Sequence, residues 1–209
     1  MDRKVTIETY DRYAQIYDEE VVEFWDNFPR EFLARFRALT TSDRVLNVGS
    51  GSGRDALLLR DLGLEVTCVD GSHSMVKMTQ SQGLDSYHAD FADIDFPAES
   101  FGGIWAYTSL IHVPKEEAAS IIGHLHTLLA SGGTFAIGVI EGMSDGMVER
   151  RTMPGAGRYF KNYIGQELTA MIEPIGFQLA YESSYQPHSN VYLNQIYTKT
   201  VSEQTNKAL

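Results

Sequence analysis

Three glycines at alternate positions, Gly49, Gly51 and Gly53, punctuate the stretch VLNVGSGSGRD from Val45 to Asp55, between a β-branched run and a helix-forming segment. Glycine accepts left-handed backbone angles and carries no Cβ, so such a turn can wind sharply and let a ligand lie against bare backbone. Asp70 ends the next β-branched run, EVTCVD. A strand-end carboxylate can accept both hydroxyls of a ribose. Together, turn and acid describe a site for an adenosine-containing ligand at the carboxyl ends of a parallel sheet. Taken singly, the glycines also suit a tight loop and Asp70 a helix cap.

The elements around these residues alternate between strand and helix from Val45 onward, the pattern of βαβ units. Strands are expected at 45–48, 65–69, 84–89, 103–107 and 134–140, with helices after the glycine turn, after Ser72 or Ser74, and after Pro114. A helix near 166–175 leads into FQLAYESSY and VYLNQIYTKT, which a connection of a few residues can pair only antiparallel. Two helical stretches, about 6–17 and 19–39, precede the first strand and form an amino-terminal cover. Residues 141–160, rich in Gly, Met and Arg, read as a long substrate-side loop, and the polar 201–209 as a frayed tail.

Length and composition bound the possibilities. The 209 residues suit one domain, taken as 1–200, and 43% hydrophobic residues suffice for a core. A net charge of −11 has the wrong sign for duplex nucleic acid. One cysteine, Cys68, makes no internal disulfide, consistent with a reducing cytoplasm, and no apolar run approaches a membrane span. Monomer and homodimer both remain open. No metal site is expected: His124 and His126, two apart on a helix, face different ways.

Gly51 to Ala56 (GSGRDA) also fits a dinucleotide pattern, so a nicotinamide-dependent oxidoreductase is an alternative. The order of elements favours another reading. The G-x-G-x-G turn, the acidic strand end at Asp70, Ala89-Asp90-Phe91 and a fourth strand running into a loop resemble the class I S-adenosylmethionine-dependent methyltransferases, best their small-molecule branch. The resemblance spans nearly the whole chain. It implies a Rossmann-like α/β three-layer sandwich, a seven-stranded mostly parallel sheet with an antiparallel last strand, and methyl transfer from S-adenosylmethionine to oxygen or nitrogen of a small acceptor. A regulatory module that binds the cofactor without turnover is the non-enzymatic alternative.

On that resemblance Gly49, Gly51 and Gly53 line the methionine and ribose portions, Asp70 with Gly71 holds the ribose, and Met75 packs on adenine or serves as core. Asp90 and Phe91 flank the adenine, and Ala106 lies beside the methionine moiety. Two departures stand out: Asn47 and Gly102 occupy positions where the family usually, or often, has Asp. Tyr107 and His112 are the expected catalytic residues, His112 as a base or as an organiser of the loop before Pro114. Tyr10, Tyr13 and Tyr17 share a helix face, Tyr13 and Tyr17 expected on the cofactor and Tyr10 on the acceptor, or all three as a packing staple. Arg151, Arg158, Tyr159 and Phe160 are expected on the acceptor side, where an arginine could fork onto a carboxylate or phosphate. Replacing Asp70 is expected to weaken cofactor binding with little effect on folding.

Overall fold

A computed structural model describes residues 2–201; the expected tail beyond Val201 lies outside the described residues. The chain runs α1 (Asp2–Glu20), α2 (Val22–Asp26), α3 (Arg30–Leu39), β1 (Arg44–Val48), α4 (Arg54–Asp61), β2 (Glu65–Asp70), α5 (His73–Ser81), β3 (Asp85–His88), β4 (Phe101–Tyr107), α6 (Lys115–Leu128), β5 (Leu129–Ile140), β6 (Asp145–Glu149), β7 (Gly157–Lys161), α7 (Gly165–Ile172), β8 (Phe177–Tyr185) and β9 (Tyr192–Lys199). Seven strands form one sheet in the order β3-β2-β1-β4-β5-β9-β8. β9 lies antiparallel between β5 and β8, as the short connection required.

The period-two alternation of strand side chains divides the core. Leu46, Val48, Ile104 and Ala106 point to one face, covered by Ile122 and Leu125 of α6 and Leu168 and Ile172 of α7. Val45, Trp105 and Tyr107 point to the other, covered by Phe28, Phe32 and Phe36 and by Ala56 and Leu59 of α4. Because both faces are covered, β1 and β4 read as continuous apolar runs. Gly102 has a packing reason: a Cβ there would run into the backbone of Ser42.

The amino-terminal cover differs from the expected pair of long helices. α1 extends to Glu20 and kinks at Tyr13 (φ −117°, ψ 24°), and the second stretch divides at Pro29, which precedes α3 and cannot donate to a helix continuing through it. Residues 141–160 are also not a plain loop. β6 and most of β7 fall there, and the two pair antiparallel with Met147 opposite Tyr159 and Glu149 opposite Gly157. The glycines that flank and interrupt this hairpin hid its alternation. α1 is bonded to it: the Thr9 hydroxyl donates to the Gly157 carbonyl at 2.7 Å, and the Tyr159 N–H donates to Thr6 Oγ1 at 2.9 Å.

Candidate active site

The turn after β1 winds back over β2: the N–H groups of Gly49 and Ser50 both donate to the Val69 carbonyl. Gly49 sits at φ +70°, and any Cβ there would collide with Ser109. The Gly51 N–H donates to Asp70 Oδ2 at 2.8 Å, and the Ser72 N–H to Asp70 Oδ1 at 2.8 Å. Asp70 therefore ties the glycine turn to the start of α5 as well as facing the cavity. Burial raises its pKa from the ordinary carboxylate value, against the pull of these two N–H groups.

These residues border a cavity of about 790 Å³, part of it open to solvent. Gly49, Gly51, Asp70, Gly71, Met75, Asp90, Phe91 and Tyr17, all expected on the cofactor, line it together. On its wall the buried hydroxyl of Ser109 has no hydrogen-bond partner among the described residues, and that of Ser50 lies against the Cys68 thiol. Bare backbone at Gly51, a carboxylate with lone pairs to spare, apolar Met75 and Phe91, and the Ser50 and Ser109 hydroxyls make a wall that fits a polar nucleoside with an amino-acid tail. Asp90 is also engaged by Arg3, 3.0 Å away.

Four expected cofactor residues are not on this wall. Tyr13 is the residue at which α1 kinks, and its phenol donates to the Pro154 carbonyl at 2.8 Å. Gly53 caps α4 at φ +85° and packs on Thr79. Ala106 and Asn47 are fully buried, Ala106 toward the α6 face and Asn47 beside the Asp55 carboxylate, whose charge it favours. The nearby carboxylate that does reach the cavity is Asp55, which accepts from Trp105 Nε1 at 3.0 Å and from the Ala56 N–H at 2.8 Å. Burial pushes its pKa up to about 6.

A second cavity of about 1,010 Å³ adjoins the first, sharing Tyr10, Tyr17, Trp25, Thr108 and His112 with it. Here the acceptor-side expectations separate. Arg158 and Phe160 alternate onto this wall. Tyr159 points the opposite way, its phenol donating to Asp145 at 2.7 Å, and Arg151 is exposed away from the cavity. Its neighbour Arg150 lines the wall instead and pairs with Glu20 at 3.0 Å. Tyr107 borders the first cavity, but its hydroxyl donates to Asn194 Oδ1 at 2.7 Å inside the aromatic cluster, which removes it from the expected catalytic position.

His112 is where the two cavities meet. Its Nδ1 lies 2.6 Å from the Tyr159 carbonyl, which can only accept, so Nδ1 carries the proton. Nε2 then accepts from the Tyr10 hydroxyl at 2.8 Å, and Tyr10 in turn accepts from Arg158 Nη1 at 3.0 Å. Burial, aided by the charges of Arg158 and Arg150 and opposed by the Tyr159 carbonyl, drives the His112 pKa down to about 4. The imidazole is neutral at pH 7, with its free lone pair engaged by a phenol. α1 is fixed over this point by a two-pronged ion pair from Arg54 to Asp18, at 2.7 and 2.8 Å, and by Asp11, which accepts from the Ser72 hydroxyl at 2.6 Å.

Sequence reasoning missed Trp25, Asp55 and Thr108. Thr108, at the end of β4, has φ +50°, a conformation that costs a β-branched residue about 1–3 kcal/mol and clusters at functional sites. Only its place one residue past the fourth strand could have signalled it.

The methyltransferase-domain family model matches residues 46–137. An uncharacterized methyltransferase of Staphylococcus carnosus is 31% identical over 135 residues, 60% of this chain and 64% of that protein. A sterol 24-C-methyltransferase of Eremothecium gossypii is 29% identical over 115 residues, 51% of this chain and 30% of that protein. The chain thus spans less than two thirds of the length of these curated relatives. Among solved structures, the DhpI–S-adenosylhomocysteine complex superposes with TM-score 0.74 at 22% identity, covering 95% of this chain and 97% of that one. The Burkholderia thailandensis 1,6-didemethyltoxoflavin-N1-methyltransferase does so with TM-score 0.70 at 21% identity, covering 93% and 88%. The domain match spans the glycine turn and Asp70, and the fold from α1 to β9 is that of methyltransferases of known structure, consistent with a class I S-adenosylmethionine-dependent methyltransferase.

Proposed function

We propose that the chain is an S-adenosylmethionine-dependent methyltransferase acting on oxygen or nitrogen of a small molecule in the cytoplasm, with residues 1–200 as one catalytic domain. The observation that carries this reading is the junction of the two cavities at Tyr10 and His112. Asp70 would hold the ribose hydroxyls, Met75 and Phe91 the adenine, and the Ser50 and Ser109 hydroxyls the polar tail. When bound, S-adenosylmethionine supplies a sulfonium methyl, already an activated electrophile.

The chain's own task is then to align an acceptor, exclude water and remove one proton. Neutral His112 draws on the Tyr10 hydroxyl, which lies between it and the second cavity. An acceptor hydroxyl or ammonium would pass its proton to Tyr10 as Tyr10 passes its own to Nε2. The Arg158 guanidinium steadies the phenolate character this requires. Such a relay suits oxygen or nitrogen acceptors.

The alternatives fit less well. A pyrophosphate at the start of α4 would meet Asp55, ionised for the most part at neutral pH. A module that binds without turnover has no use for the second cavity. The test is a metabolite extract incubated with the full chain and isotopically labelled methyl donor, with mass identification of labelled products. A labelled product that disappears in Tyr10→Phe supports the reading, and unlabelled extracts from a range of sources count against it.

A further inference from the structure

We infer that the acceptor carries an oxyanion, a carboxylate or phosphoryl oxygen on an apolar, ring-sized body, and that Arg158 binds it. The inference takes its meaning from the proposed methyl transfer, but its evidence is the arginine itself. Arg158 is 2% exposed and lies on the wall of the second cavity. Nη1 donates to Tyr10, while Nη2, buried, has no hydrogen-bond partner. Among the described residues it forms no ion pair.

A buried cation ordinarily stands beside an anion, because leaving water is costly and only a counter-charge offsets it. Lysine can escape by losing its proton, whereas a guanidinium keeps its charge. The rings of Tyr10 and Phe160, each 5.2 Å from the guanidinium carbon, offset part of that cost. They are not counter-ions. Other charges on this wall do not serve: Glu20 is taken by Arg150, and Glu23 is exposed at the rim and forms no ion pair with Arg158. The unmatched charge is therefore the innermost one.

The rest of the wall describes the body of the ligand. Phe24, Trp25, Ile111, Phe160 and Tyr192 give it apolar and aromatic faces. An oxyanion on Nη2 sits beside Tyr10, so docking the charge brings the remainder of the molecule to the proton relay. An acceptor whose only charge is positive would be repelled from the same place, whereas an ammonium on a molecule that also carries the oxyanion would not, which makes the arginine selective as well as attractive.

Calorimetric titration of the full chain with benzoate and with its neutral counterpart benzamide, with and without saturating S-adenosylhomocysteine, tests this. Benzoate is expected to bind about ten-fold or more tightly than benzamide, the difference a buried charged hydrogen bond makes. Arg158→Gln should erase the preference and Arg158→Lys keep part of it. Tyr10→Phe leaves Nη2 intact and should keep it too, so the result does not hang on one variant's folding. Equal affinities, no binding of either compound at millimolar concentration, or a preference that survives Arg158→Gln overturns the inference. Failure of S-adenosylhomocysteine to bind in the same series would instead sink the methyl-transfer reading, while the benzoate comparison still decides the anion site.

Discussion

The two cavities share a wall at Tyr10 and His112, and beyond it they are built from different segments. The first is floored by segments that follow strand ends, Gly49–Ser52 after β1, Asp70 and Gly71 after β2, Asp90 and Phe91 after β3, Thr108 and Ser109 after β4, and is roofed by Thr6, Ile7, Tyr10 and Tyr17 of α1. The second is assembled from α1, α2, the β6–β7 hairpin and the connection between β8 and β9. Its central contacts, Tyr10 to His112 and Arg158 to Tyr10, join residues 102 and 148 positions apart. A shared sheet can keep the first cavity while different covers rebuild the second. The domain match, confined to residues 46–137, follows the same division.

If this division is real, damage to the first cavity should abolish cofactor binding and reach the fold itself. Gly49→Val adds a side chain at positive φ that runs into Ser109, and should cost ~3 kcal/mol or more in urea unfolding. A stable, binding-competent Gly49→Val would break the account of the turn. Asp70→Ala should weaken S-adenosylhomocysteine about 100-fold by calorimetry, through loss of two charge-assisted bonds. It should also cost ~1–3 kcal/mol of stability, because the N–H groups of Gly51 and Ser72 lose their acceptor. Here the structure corrects the expectation drawn from sequence, in which a strand-end carboxylate holds nothing else in place.

Damage at the junction, whose residues border both cavities, should fall on turnover far more than on the cofactor. Tyr10→Phe and His112→Gln should each lower turnover about 100-fold, the typical scale of general base catalysis, with S-adenosylhomocysteine affinity changed much less. A parallel loss of affinity would mean the two cavities act as one.

What could be read in advance follows the same line. The strand positions, the antiparallel pairing of β8 with β9 and the residues of the glycine turn and Asp70 came from short contiguous signals, because strand-end segments are encoded by a few adjacent residues. Tyr13 and Tyr107 were misplaced for tertiary reasons: a kink in α1 turns one away, and Asn194, on β9, captures the other's hydroxyl. Arg158 was separable from Arg151 only once the hairpin register put Arg158 and Phe160 inward. Asn47 and Asp55 show a limit of position-by-position transfer, since the carboxylate that reaches the cavity lies eight residues further along the chain than the position where the family usually places one.

The pH dependence offers a smaller test of the junction. His112, at about 4 in the folded chain against about 6.5 unfolded, stays neutral when folded while the unfolded chain takes up a proton. Its contribution to stability is complete above pH 6.5 and declines as pH falls toward 4, by up to ~3 kcal/mol. Asp55, raised to about 6, works in the opposite sense, its burial strain relieved as pH falls below 6. Asp55→Asn should therefore steepen the acid loss of stability and His112→Gln should flatten it, as read in thermal melts between pH 7.5 and 4.5. Equal slopes in the two variants would remove His112 from the buried junction. Smallest of all, Tyr13→Phe should change stability by less than ~0.5 kcal/mol and binding not at all, being a single half-exposed phenol on a loop carbonyl.

The central claim is that the strand-end cavity is a site for S-adenosylmethionine. Calorimetric titration of the full chain with S-adenosylhomocysteine and, separately, with NAD tests it most directly. The account predicts micromolar-range, one-to-one binding of S-adenosylhomocysteine that Asp70→Ala weakens about 100-fold, and no binding of NAD. Binding of NAD without S-adenosylhomocysteine would contradict it.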